Sequence, residues 1–314
     1  MTRWEAFRFI SNALQSISQR EALPIDADRI SWDVVLQLAC EHVVTPTLAW
    51  ALKDARGIPE EARDYLNITL DLNHLRNETI VDCLKAASSA LNSVGCEPLL
   101  LKGGAAILAD ELYPDLSVRY LADLDILVPK ARLSDASVAL SKIDFHVMPE
   151  SDRRWVRVDV RHAHHLPALV HGGTGVAIEL HRTISLAEFE PILPTVTALQ
   201  RRVECNFRDI DFFVLCPTDR IIHNIVHSQL LHRHYEEGTV ELRQLFELAL
   251  LAIKFGEAID WQEVENRFRR TGHLEILQSH SALLHAVFSV RLKIGGQDNP
   301  NFLLRIQSKI ESIE

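Results

Sequence analysis

Two aspartates separated by one residue, Asp123 and Asp125, stand in the apolar run Leu121-Ala-Asp-Leu-Asp-Ile-Leu-Val128. On a strand the side-chain period is two, so both carboxylates are expected on one face. Two acids side by side repel each other unless a divalent cation lies between them. Hard cations such as Mg²⁺ take oxygen ligands and are held by one or two carboxylates plus substrate phosphates. Upstream, three leucines lead into Lys102-Gly103-Gly104. A turn of this composition offers phosphates bare backbone N–H groups, a cation and the start of a helix. Lys102 follows a buried-looking strand, so its ammonium needs a partner, either a ligand phosphate or Asp123. Arg119 reads equally as a second phosphate clamp or as one half of a structural ion pair.

These residues must be positioned by strand, turn, helix, loop and strand over residues 97–128. Residues 1–96 read as helices, with apolar residues at helical spacing through Trp32, Val35, Leu36, Leu38 and Ala39. Asn77-Glu78 reads as the start of a helix that stops at Gly95. A helix is expected over 131–142 and an extended piece over 145–148. Alternation predicts a strand over 155–161, carrying Asp159. Two more are predicted over 164–170 and 176–181, joined by His171-Gly-Gly-Thr-Gly175. In Ile178-Glu179-Leu180-His181 the apolar pair faces a core and Glu179 faces out. Helical texture resumes at Pro217-Thr218-Asp219, where Thr218 or Asp219 can cap.

The composite "LKGGAAI…LYPDLSVRYLADLDILV", "VAIELHRTI" and "CPTDRIIHNIVHSQLLH" resembles the nucleotidyltransferase superfamily, whose fold is that of DNA polymerase β. It is similar in particular to a bacterial nucleotidyltransferase-like family that reads Lys-Gly, Tyr, Arg, Asp-x-Asp-x-Leu-Val and later Glu-Leu-His. Upstream, "LACEHVVTPTLAWAL" and "LNHLRNETI" extend the likeness over most of residues 30–255. The second turn residue is Gly where the superfamily more often has Ser, and the gap to Asp123 is longer. The resemblance implies an α+β fold, a mixed β-sheet nucleotidyltransferase core over 97–216 between helical segments at 1–96 and 217–314. It implies that Asp123, Asp125 and a third acid, Glu179, hold Mg²⁺ or Mn²⁺, with Asp159 as a rival third acid. Glu179 completes the site or takes the acceptor proton. Lys102, Gly103, Gly104 and Arg119 are the expected triphosphate contacts. The implied reaction moves a nucleoside monophosphate from an NTP to a small molecule, peptide, protein or tRNA. The alternative is an inactive module that keeps the fold and binds a peptide, RNA or protein.

Whole-chain properties bound these expectations. The 314 residues carry 33 basic and 43 acidic side chains, a net charge of -10, which argues against a broad grip on nucleic acid. Five cysteines without a CxxC pair suit a reducing cytoplasm. No leader-like apolar region follows Met1, and no uninterrupted apolar run is long enough to span a bilayer. Histidines number 15. His223 and His227 have the i, i+4 spacing of metal ligands, followed by His232 and His234, and His162, His164 and His165 form a second group. Without HExxH or a nearby cysteine, these read as a polar face lining a cleft rather than a zinc site.

Overall fold

The computed structural model describes residues 1–19, 30–109, 112–147, 164–295 and 300–312. The strand expected over 155–161, with Asp159 and His162, lies outside them. In chain order the helices α1 (Arg3–Gln19), α2 (Trp32–Glu41), α3 (Thr45–Ala51) and α4 (Glu60–Ser93) precede β1 (Leu99–Leu100), α5 (Lys102–Leu108) and β2 (Leu124–Leu127). Then come α6 (Leu133–Ser141), β3 (Phe145–Val147), β4 (Leu169–His171), β5 (Ala177–His181), α7 (Thr195–Gln200), β6 (Val203–Phe207) and β7 (Ile210–Val214). The chain closes with α8 (Pro217–Ile225), α9 (His234–Glu237), α10 (Leu242–Phe255), α11 (Trp261–Arg270), α12 (Leu274–Phe288) and α13 (Pro300–Glu311). The α+β class expected from sequence is what the chain adopts. Among the described residues, no helix is long and apolar enough to cross a membrane.

The chain forms two compact units. The first, helical, comprises Met1–His74, Pro114–Tyr120 and Asn224–Glu314. Its core begins with the stripe Phe7, Ile10 and Leu14 of α1, whose i, i+3, i+7 spacing turns all three inward, fully buried. This stripe side packs on α2, α3, α10, α12 and α13. The loop 114–120 is tied into the same unit by side chains reaching its carbonyls. Thr47 Oγ1 donates to the Val118 carbonyl at 2.8 Å and the Asn73 amide to the Ser117 carbonyl at 2.6 Å.

The second unit, Leu75–Tyr113 and Leu121–His223, is built on one seven-stranded mixed sheet of order β3-β4-β5-β2-β1-β7-β6. β2 is central and buried along its whole length, which is why its sequence reads as a near-continuous apolar run. It runs antiparallel to β1 and parallel to β5. The loop 171–176 closes an antiparallel β4–β5 hairpin, as its glycines predict; Gly175 takes φ +71° there, a left-handed conformation that glycine adopts without steric penalty.

Three elements differ from the sequence reading. The strand expected over 164–170 is strand only from Leu169, in β4. The helix expected to start at Asn77 is the second half of α4, a single run of 34 residues. Asn77 signals a cap by composition, yet it is fully buried inside the helix. β6 was not expected, because Val203–Phe207 is an edge strand with exposed polar residues and no alternation of apolar ones.

Candidate active site

β2 and β5 lie side by side in parallel register, with Asp125 opposite Glu179 and Leu127 opposite His181. Paired residues share a face, and so do residues two apart on one strand. Asp125, Glu179 and His181 therefore project from the same side of the sheet. Leu124, Ile126, Ile178 and Leu180 fill the opposite side and are fully buried. A lone antiparallel bridge sets His165 against His181 on the far side of β5. The result is a row of carboxylates and imidazoles across adjacent segments of backbone.

Asp125 is the hub. Its Oδ1 accepts from Lys102 Nζ at 2.6 Å and from the His181 Nε2–H at 2.8 Å. Burial alone would raise this carboxyl, but the Lys102 ammonium and the His181 N–H outweigh it and hold the group well below the usual carboxylate range. Burial likewise works against the Lys102 charge, and attraction to Asp125, Glu179 and Asp123 raises its pKa nonetheless. Glu179 is pushed the other way. Burial raises its carboxyl, and the neighbouring charges of Asp125 and Asp123 add to the rise against the pull of His165. Three carboxylates thus sense one another around one ammonium.

Burial opposes a charge on three of the imidazoles around them. His181 is fully buried and burial lowers its pKa, although Asp125 opposes the shift. Burial takes His164 down to about 3, helped by the charges of His181 and His165. His223 also falls to about 3, through burial and then Lys102. His165 Nδ1 lies 2.8 Å from the Leu166 carbonyl, which can only accept, so Nδ1 carries the proton. Its Nε2 is the nitrogen directed toward Glu179, 3.7 Å from Oε2.

The site residues singled out in the sequence that fall among the described residues have definite places. Asp125 and Glu179 are brought together, with Lys102 between them electrostatically. Asp123 lies one residue before β2 rather than on it, half-buried, and still acts on Lys102 and Glu179. Gly103 and Gly104 are buried in the first turn of α5. The left-handed residue of that turn is Lys102 itself, at φ +46°, not either glycine. The turn into a helix thus has the lysine as its left-handed residue, and Nζ lies 2.6 Å from Asp125 Oδ1. Arg119 lies in the helical unit, buried, with Nε donating to Glu247 Oε2 at 2.8 Å and Nη1 to the Tyr120 carbonyl at 3.1 Å. Of its two sequence readings, the ion pair is the one this geometry supplies. His165 was missed as a site residue. The signal was the cluster His162-Ala-His164-His165, but only the bridge to His181 singles out one member.

One donor set able to hold a metal ion is Asp125, Glu179 and His181, whose ligand atoms all lie within 4.8 Å of one another. The residues fit a divalent cation. Three carboxylates gather around one ammonium, and Glu179 is held above its ordinary range by burial first and by the charges of Asp125 and Asp123 after it. His181 already donates to Asp125, so it suits the role of a partner that orients a ligating carboxylate.

The chain is similar to a solved structure, the crystal structure of an antigenic nucleotidyltransferase-like protein from Paracoccidioides brasiliensis. The identity is 15% and the TM-score 0.39, over 68% of this chain and 95% of that one. No curated protein matches the chain. The family described as uncharacterised nucleotidyltransferase matches over residues 28–289, most of the length. The chain belongs to that family, and with it to the nucleotidyltransferase superfamily.

Proposed function

We propose that the acid cluster is the active site of a metal-dependent enzyme that transfers a nucleoside monophosphate from an NTP to an acceptor hydroxyl or phosphate. The observation that carries this reading is the parallel register of Asp125 and Glu179 beside Lys102. Such a site gathers acids where burial and mutual repulsion both oppose them, which has no structural benefit. In the transfer, the acceptor oxygen attacks the α-phosphorus, the bond to the bridging oxygen breaks, and pyrophosphate leaves. Asp123, Asp125 and Glu179 would hold Mg²⁺ or Mn²⁺, which when bound neutralises the polyphosphate and polarises the reacting oxygens. Lys102, on the left-handed turn, supplies a movable cation that can pass from Asp125 to a phosphate oxygen. Gly103 and Gly104 leave the start of α5 without side chains beside those phosphates. Glu179, held above the ordinary carboxylate range, can take the acceptor proton. The chemistry is assigned to residues 97–216, and most of the rate gain comes from positioning and charge neutralisation.

The acceptor belongs to a small molecule, peptide, protein or tRNA. The test is incubation of the full chain with each α-labelled NTP, Mg²⁺ or Mn²⁺, and a cell extract. A labelled product that disappears in Asp125→Asn supports the transfer and reveals donor and acceptor class together. No labelling by any NTP with either metal overturns it in favour of a binding module.

A further inference from the structure

The helical unit contains a second set of metal-capable side chains that the proposed transfer does not use. After α8 the backbone widens into a π-helical segment, Val226–Leu231, a feature that clusters at functional positions. His232 caps it, Arg233 takes a left-handed φ of 57°, and α9 starts at His234. On a regular helix, residues two apart point roughly 200° away from each other. The left-handed Arg233 abolishes that divergence, and the two imidazole centroids lie 5.5 Å apart. Glu241, the N-cap residue of α10, completes the group. The ligand-capable atoms of His232, His234 and Glu241 all lie within 4.8 Å of one another.

We infer that His232, His234 and Glu241 form a binding site for one borderline divalent cation of the Zn²⁺ class. Two imidazoles and a carboxylate are a Zn²⁺ donor set that leaves a position for water, whereas Mg²⁺ prefers oxygen donors throughout. His234 Nδ1 is buried and has no hydrogen-bond partner among the described residues, which is unfavourable for a ring nitrogen without a ligand. Burial holds the His234 ring below its ordinary pKa, in the neutral form that binds metal. His232 is exposed and gives a cation its route in. The supporting contacts are present too. Gln244 Nε2 lies 3.3 Å from both His232 Nδ1 and Glu241 Oε2, and Arg243 holds Glu241 Oε1 at 2.6 Å. Such outer partners orient a ligand's remaining lone pairs. His227, its ring 4.2 Å from that of His232, packs the exposed imidazole from one side. A bound cation would clip the turn after α8 to the start of α10.

The test uses the full chain carrying Asp125→Asn and Glu179→Gln, which removes metal binding at the acid cluster. Stripped with a chelator and titrated with Co²⁺, it should bind one equivalent, with visible bands of a four-coordinate site that Zn²⁺ abolishes. His234→Gln and Glu241→Gln should each weaken Zn²⁺ by more than the roughly 10–100-fold that losing an outer partner costs. Arg243→Gln should weaken it less than either. Circular dichroism establishes that each variant is folded, and Glu241→Gln carries the test if His234→Gln is not. Absence of the Co²⁺ bands overturns the site, and so does their persistence when His232 and His234 are both replaced. Zn²⁺ affinity unchanged in a folded Glu241→Gln chain overturns the assignment of Glu241.

Discussion

Two buried ion pairs invite comparison, Lys102 with Asp125 in the sheet unit and Arg119 with Glu247 in the helical unit. Both are short, 2.6 and 2.8 Å, and both place a carboxylate out of contact with water. They differ in what surrounds them. Arg119 meets Glu247 as a matched guanidinium and carboxylate, the planar guanidinium suited to holding a carboxylate in fixed geometry. Lys102 meets Asp125 within reach of Glu179 and Asp123 as well, so its single charge leaves a negative excess. It does so from a flexible stem whose ammonium can change partners. A balanced pair ties the loop at 114–120 to α10, whereas an unbalanced one waits for a further cation.

Removing one partner of the balanced pair should have the largest effect. Arg119→Met leaves Glu247 as an uncompensated buried charge, which costs about 3–5 kcal/mol of stability. Replacing both, Arg119→Met with Glu247→Leu, should recover most of that loss in urea denaturation. Transfer activity per folded molecule should stay unchanged throughout. A fall in activity would return Arg119 to the clamp role that its position in the sequence suggests.

The Lys102 pair should respond less steeply in stability. Asp125→Asn keeps a side-chain oxygen for Lys102 and leaves Glu179 and Asp123 to face the ammonium, so stability should fall by less than in Arg119→Met while turnover falls by roughly 100- to 1,000-fold. Glu179→Gln should act similarly. If either variant loses its thermal transition together with its activity, the acids are structural and the contrast between the pairs collapses.

Acid pH separates the two units less sharply, through histidines buried as neutral rings. Burial depresses His42 to about 4 and His280 to about 3 in the helical unit, as it does His164 and His223 in the sheet unit. Below an unfolded pKa of 6.5 the unfolded chain takes up protons that the native one refuses. Stability is therefore complete above pH 6.5 and is lost as pH falls toward 4, by up to about 1.4 kcal/mol per pH unit for each such ring. Glu179 has the opposite sign, since its raised pKa favours the native state on protonation, but only near the carboxylate range. Urea midpoints between pH 7.5 and 5.5, with EDTA present, should fall with pH, and His280→Leu should flatten the fall. A flat profile in the parent chain would mean that these rings titrate normally.

The contrast between the pairs was only half visible in the amino-acid sequence. Period-two alternation is a local property, so Asp-x-Asp and Ile-Glu-Leu-His could be read directly as polar residues on strands. The register that sets Asp125 against Glu179 is a non-local pairing across 54 residues, and no local pattern encodes it. The same limit hid His165, whose role depends on a bridge to His181, and left Arg119 open between clamp and ion pair. Nearness to the acids along the chain suggested a phosphate clamp, while the bond to Glu247 is a contact across 128 residues that no local pattern encodes. Asn77 misled for a different reason: its capping preference is a weak local term, and tertiary burial overrode it.

The smallest expected effect concerns Gly104, and it bears most directly on where the phosphates lie. Its φ is not left-handed, and a Cβ there would meet Leu124 Cδ2 at 3.6 Å and Leu100 Cβ at 3.9 Å, ordinary contact distances. For folding alone, alanine is the better residue inside a helix turn, so Gly104→Ala should stabilise the chain by about 0.4–1 kcal/mol. Retention of glycine despite that gain makes sense if backbone N–H groups at the start of α5 must approach a polyphosphate. The added methyl should then raise the KM for NTP several-fold while the melting temperature rises. If stability increases and KM does not move, the phosphates do not approach α5, and Lys102 remains their contact without the glycines.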